Sequence, residues 1–171
     1  MEGMPAGRTE ERTDDMEDRK ARLDISTFTG ASQLFLHFNY TPKERDEIGD
    51  PYYVLRLALK KYLIRPFREE GRNRFDDAKF YKVTENDGPE GFCLSVEWAD
   101  PGEEESLELV SGAIGYAESF DPEDLKYPDE ESREWVMEHL EGMKALAAEL
   151  RRQIFEDRSY TYKTERVSFF D

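Results

Sequence analysis

Apolar and polar residues alternate along three short stretches of the chain and recur at helical spacing along two longer ones. Between Gln33 and Tyr40, Leu34, Leu36, Phe38 and Tyr40 point one way, and Phe35, His37 and Asn39 the other. Period two with aromatic enrichment predicts a half-buried strand, ended by Thr41-Pro42. Phe92, Leu94, Val96 and Trp98 alternate in the same manner with Cys93, Ser95 and Glu97. Another strand over residues 78–84 precedes them, and the turn-rich run 85–91 predicts a hairpin between the two. Tyr160, Tyr162 and Thr164 alternate again, followed by Val167, Phe169 and Phe170, which predicts a last strand.

Asp50-Pro51 predicts a helix start, with Asp50 as N-cap and Pro51 in the first turn. Val54, Leu55, Ala58, Leu59 and Tyr62 follow at helical spacing until Pro66 stops or kinks the helix. Pro128 opens a longer helix. Trp135, His139, Leu140, Met143, Ala147, Leu150 and Ile154 form one continuous apolar stripe. Acidic residues in its first turns and Arg151 and Arg152 near its end suit the helix dipole. Residues 106–120 fit two periods at once. Leu107 and Leu109 suit a strand, whereas Leu107, Val110, Ile114 and Ala117 suit a helix. Gly112 and Gly115 weaken both, and the sequence favours a third meander strand.

These elements predict an α+β fold, with an antiparallel sheet carrying two main helices on one face. The order is the ferredoxin-like βαββαβ with one extra element. Residues 1–22 have no apolar period and read as a disordered charged tail, ahead of one domain over 23–171. The chain has 171 residues, of which 37% are apolar and 13% aromatic, enough for a core without staples. It holds a single cysteine, which excludes an internal disulfide. The first residues lack the basic start and apolar run of a signal peptide, and no stretch is long enough to span a membrane, so a cytoplasmic protein is expected.

Charge changes the picture more than composition does. The formal net charge is −16, unevenly placed. Residues 51–74 hold seven basic and two acidic side chains, while residues 85–149 hold 20 acidic and three basic. Such acidity repels nucleic acid backbones and anionic membranes and attracts basic proteins. Solubility alone also accounts for acidity. The densest runs are Glu103-Glu104-Glu105, then Asp121, Glu123 and Asp124, then Asp129-Glu130-Glu131. They are the candidate surface for a basic protein partner, in the manner of an immunity protein, an antitoxin or a nucleic-acid mimic. The alternative is an anion-binding enzyme or sensor built on Arg65, Arg68, Arg72 and Arg74, whose guanidinium forks suit phosphate and carboxylate. A third reading is a structural subunit assembling through Phe169-Phe170 or an edge strand.

Catalytic chemistry finds little support. Cys93, His37 and His139 are too few for a zinc site of the usual kind, and neither an EF-hand loop nor a Glu-x-x-His pair occurs. Cys93 lies mid-strand between Phe92 and Leu94, where a structural thiol is expected. Ser111-Gly112-Ala113-Ile114-Gly115 lacks the spacing and the lysine of a phosphate-binding loop. The expectation is a non-enzymatic binding or inhibitory module with no cofactor and no metal.

Overall fold

The computed structural model describes residues 21–31, 33–64, 78–88, 91–98 and 101–166. Strand β1 (Leu23–Thr29) and strand β2 (Gln33–Asn39) form an antiparallel hairpin with Leu23 opposite Phe38 and Thr27 opposite Leu34. Helices α1 (Pro42–Ile48) and α2 (Asp50–Leu63) follow. Strands β3 (Ala78–Gly88) and β4 (Gly91–Trp98) make the second hairpin, with Gly88 opposite Gly91. Helix α3 (Glu103–Glu118), a 3-10 turn over Pro122–Asp124 and helices α4 (Glu130–Glu138) and α5 (Leu140–Arg151) lead through a π-turn over Arg152–Glu156 to strand β5 (Tyr160–Arg166).

The fold is α+β. Its five strands stand in the order β3-β4-β2-β1-β5. All neighbours are antiparallel except β1 and β5, so the sheet is mixed rather than antiparallel. Strand β1, which the sequence pattern did not predict, enters between β2 and β5. Its inward residues Leu23 and Ile25 are fully buried, and its third inward residue is a threonine. Thr27 satisfies its hydroxyl at 2.9 Å from Thr164 of β5, which is how a polar residue tolerates that position.

The helices cover the face holding Leu34, Leu36, Phe92, Leu94 and Val96. Three of them, not two, pack together there, since α2, α3 and α5 touch one another pairwise. Residues 103–118 are a helix and not a meander strand. Leu109, Val110, Ala113, Ile114 and Ala117 are all buried, a set that only the helical period places on one side. The two glycines have a packing reason. A Cβ on Gly112 would stand 2.4 Å from the Tyr62 hydroxyl of α2, so glycine lets the two helices approach. The long C-terminal helix is also broken. His139 ends α4 and begins α5 with a backbone N–H bonded to Val136, although the apolar stripe runs on.

Local chemistry sets the other boundaries. Thr41 caps α1 reciprocally. Its hydroxyl accepts from the Glu44 amide at 3.1 Å, and Glu44 accepts from the Thr41 amide at 2.9 Å. Gly49, with φ 67°, is the N-cap of α2, one residue before the expected Asp50. Ala21 and Arg22, assigned to the charged tail from sequence, are tied into the fold. Asn39 donates to the Ala21 carbonyl, and the Arg22 amide donates to the Ser159 carbonyl, both at 2.9 Å. The remaining residues 1–20, with Phe169 and Phe170, lie outside the described residues. Among the described residues no helix is long and apolar enough to cross a membrane.

Two outcomes follow from this packing. Gly91 has φ 147°, and a Cβ there would stand 1.9 Å from the Phe38 carbonyl oxygen of β2. Gly91→Ala should cost at least about 2 kcal/mol in denaturant unfolding, because rigid backbone must move. Gly49→Ala, with nothing near its Cβ, should cost less.

Glu44 supplies the second. Partial burial pushes its carboxyl up, but bonds from Arg22 and Thr41 and the Arg22 charge outweigh that and hold it below 4.5. A depressed folded value gives stability that is complete above pH 4.5 and lost as pH falls through the folded value. Glu44→Gln should flatten the fall of stability below pH 4.5 in acid titrations of the melting temperature.

Candidate functional site

Exposed Glu103, Glu104 and Glu105 and half-buried Glu108 lie along the outer side of α3. Pro101-Gly102 starts this helix. Gly102 is extended, its amide donates to Glu105 at 2.8 Å, and its carbonyl accepts from the Ser106 hydroxyl at 2.8 Å. Three glutamates in a first turn suit the positive end of the helix dipole, which is why such a run is stable there. Helical spacing then carries the carboxylates on from Glu104 to Glu108, one turn further.

Glu104, Glu105 and Glu108 line an open groove of about 570 Å³ together with Leu107, Ser111 and Phe155. Phe155 arrives from the π-turn that ends α5, a wider turn than the α-helix makes. The groove therefore has an acidic wall and a partly apolar floor. Glu103 stands at its end and accepts from the Tyr160 hydroxyl of β5 at 2.8 Å. That bond, with burial second, raises the Tyr160 phenol above its ordinary value, while Arg158 lies over the ring at 5.2 Å. At the other end Arg151 holds Glu118 at 3.0 Å and donates to the Ser111 hydroxyl at 3.2 Å.

The nine acidic residues proposed from sequence do not form one surface. Glu103, Glu104 and Glu105 stand at the start of α3, whereas Asp121, Glu123, Asp124, Asp129, Glu130 and Glu131 follow its end. An α-helix of 16 residues separates them by about 24 Å. Most of the second group is spent on local structure. Asp121 accepts from the Glu123 amide at 3.0 Å, and Asp124 from the Tyr116 hydroxyl at 3.2 Å. Glu123 and Glu130 both pair with Arg133. Asp129 caps α4, accepting from the Ser132 amide at 2.8 Å, and that bond holds its carboxyl below 3.8. Sequence reasoning missed Glu108 and Phe155. Glu108 joins the wall only if 103–118 is helical, and Phe155 reaches the groove only through the π-turn.

The other candidates are placed as follows. Arg65, Arg68, Arg72 and Arg74 lie outside the described residues. Cys93 is half-buried on the open side of the sheet, and burial pushes its thiol up, away from the reactive thiolate. His37 stands opposite both Asp24 and Cys93 on neighbouring strands. Asp24 is already engaged, by Asn39 at 2.7 Å and Thr161 at 2.6 Å. His139 sits at the junction of α4 and α5, with Nε2 3.2 Å from Asp50 and its ring edge-on to Trp135. Among the described residues no group of three or more His, Cys, Asp or Glu could hold a metal ion. Comparison of the chain with protein-family models and with curated proteins gives no match.

The different employment of Asp129 and Glu104 has a measurable consequence. Asp129→Ala should lower the melting temperature and weaken its acid dependence, because a cap with a depressed carboxyl is lost. Glu104→Gln should leave the melting temperature unchanged.

Proposed function

We propose that the protein is a non-enzymatic docking module that binds a basic protein partner through the outer face of α3. The observation that carries this reading is the groove in which Glu104, Glu105 and Glu108 flank Leu107 and Phe155. Carboxylates beside an apolar floor suit an arginine or lysine side chain, whose methylene stem packs on apolar surface while its cationic head meets the acid. An aromatic ring adds attraction for the same cation. The net charge of −16 adds long-range steering towards basic proteins and away from phosphate backbones. The role is inhibitory or protective when the captured surface is itself a nucleic-acid-binding one, as for an immunity protein, an antitoxin or a nucleic-acid mimic. Capping and pairing occur in both acidic groups, at Glu105 and Glu103 as at Asp129 and Glu123, so it is the apolar floor of Leu107 and Phe155 beside Glu104 that favours α3.

The test is retention of proteins from lysate of the native source at low and high salt. The wild-type chain should hold one basic protein at low salt and release it at high salt. Glu104→Lys combined with Glu108→Lys should weaken that association at least tenfold, about 1.4 kcal/mol. Glu130→Lys with Glu131→Lys should change it less than threefold. Equal affinity of the α3 variant and the wild type would reject this docking face.

A further inference from the structure

We propose that the outward face of α2 is the contact between two copies of this chain, paired antiparallel about a twofold axis near Leu57. Helix α2 buries Tyr52, Val54, Leu55, Ala58, Leu59 and Leu63 against the sheet and its neighbours, and its outward side carries Tyr53, Leu57 and Ile64 among Arg56, Lys60 and Lys61. Tyr53, Leu57 and Ile64 are 40%, 38% and 40% exposed. Their spacings of four and seven residues place them along one stripe. Of the four large hydrophobic residues exposed among the described residues, three are on or just past this one helix. Scattered apolar residues need no explanation, but a stripe at helical spacing is what a helix–helix contact requires.

Charge selects the occupant and its orientation. Helix α2 has Asp50 in its first turn and Lys60 and Lys61 in its last. A second α2 laid parallel would set lysines against lysines. Laid antiparallel, each acidic end meets a basic end, and the two helix dipoles oppose favourably. Leu57 then faces Leu57, Tyr53 lies beside the second Lys61, and Asp50 lies within one turn of it. A twofold pairing of this kind closes on itself and cannot grow into a fibre. It also answers the repulsion between two chains of net charge −16. Residues 51–64 hold Arg56, Lys60 and Lys61 and no acidic side chain, so copies that approach along α2 keep carboxylates other than Asp50 out of the contact. A contact limited to one helix of 14 residues is smaller than a permanent dimer needs, so the pairing is weak and concentration-dependent.

Sedimentation of the full chain over a wide concentration range at moderate salt tests the proposal. The average mass should rise from 20.1 kDa towards twice that value. Leu57→Glu should hold the mass at that of the monomer at every concentration, with an unchanged circular dichroism spectrum. Lys61→Glu and Asp50→Lys should each weaken the dimer at least tenfold, and mixing the two variants should restore it, because the reversed charges then meet. A wild-type chain that stays monomeric throughout overturns the proposal. So does a dimer that survives Leu57→Glu, which would place the contact elsewhere. Neither result bears on the groove of α3, which is on a different helix.

Discussion

Strand β1 must pair on both sides before any of the sheet is complete. Its antiparallel partner β2 follows after a tight turn, but its parallel partner β5 is distant: Thr27 meets Thr164 across 137 residues. That second ladder joins residues 137 apart in the chain, which makes its closure costly in chain entropy. Polar groups gather at its entry to hold it. Arg22 bonds to Ser159 and Glu44, and Asp24 takes bonds from both Asn39 and Thr161. The same closure brings Tyr160 to Glu103 and the Tyr162 hydroxyl to the Pro101 carbonyl, and so fixes the start of α3 against the sheet.

The acidic surface is a consequence of that placement. Once α3 is anchored at its first turn and buries Leu109, Val110, Ala113 and Ile114, its opposite side must carry Glu104 and Glu108 outward. The carboxylates repel one another, and the helix dipole offsets only part of that repulsion at the first turn. Bonds from the Tyr160 hydroxyl and the Gly102 amide engage Glu103 and Glu105 and help the run to be tolerated. The later acidic residues are engaged as well, by caps and by Arg133. Charge density in the sequence therefore does not map onto one surface, because many of these carboxylates serve local structure.

Elements with one clear period were legible from residues alone. Strands β2 and β4 and helix α2 alternate or repeat without ambiguity, and the structure places them where expected, with α2 capped one residue earlier. Strand β1 was hidden because its short run LDISTFT has only two inward aliphatics, and its third inward residue, Thr27, is polar. Helix α3 was hidden because Gly112 and Gly115 argue against a helix in isolation, whereas Tyr62 and Arg151 from other helices fill the space beside them. The break at His139 left no trace in the apolar stripe, which continues across it. At the candidate site, the triplet Glu103-Glu104-Glu105 was visible as charge. Glu108 and Phe155 depend on helical phase and on a π-turn, which no local pattern announced.

Backbone hydrogen exchange, measured on the full chain alone and with its captured basic partner, tests the central claim most directly. Occupation of the groove should slow exchange in residues 103–111 and 152–160 and leave residues 121–131 unchanged. Protection confined to residues 121–131, or to the open face of the sheet, would contradict docking at α3.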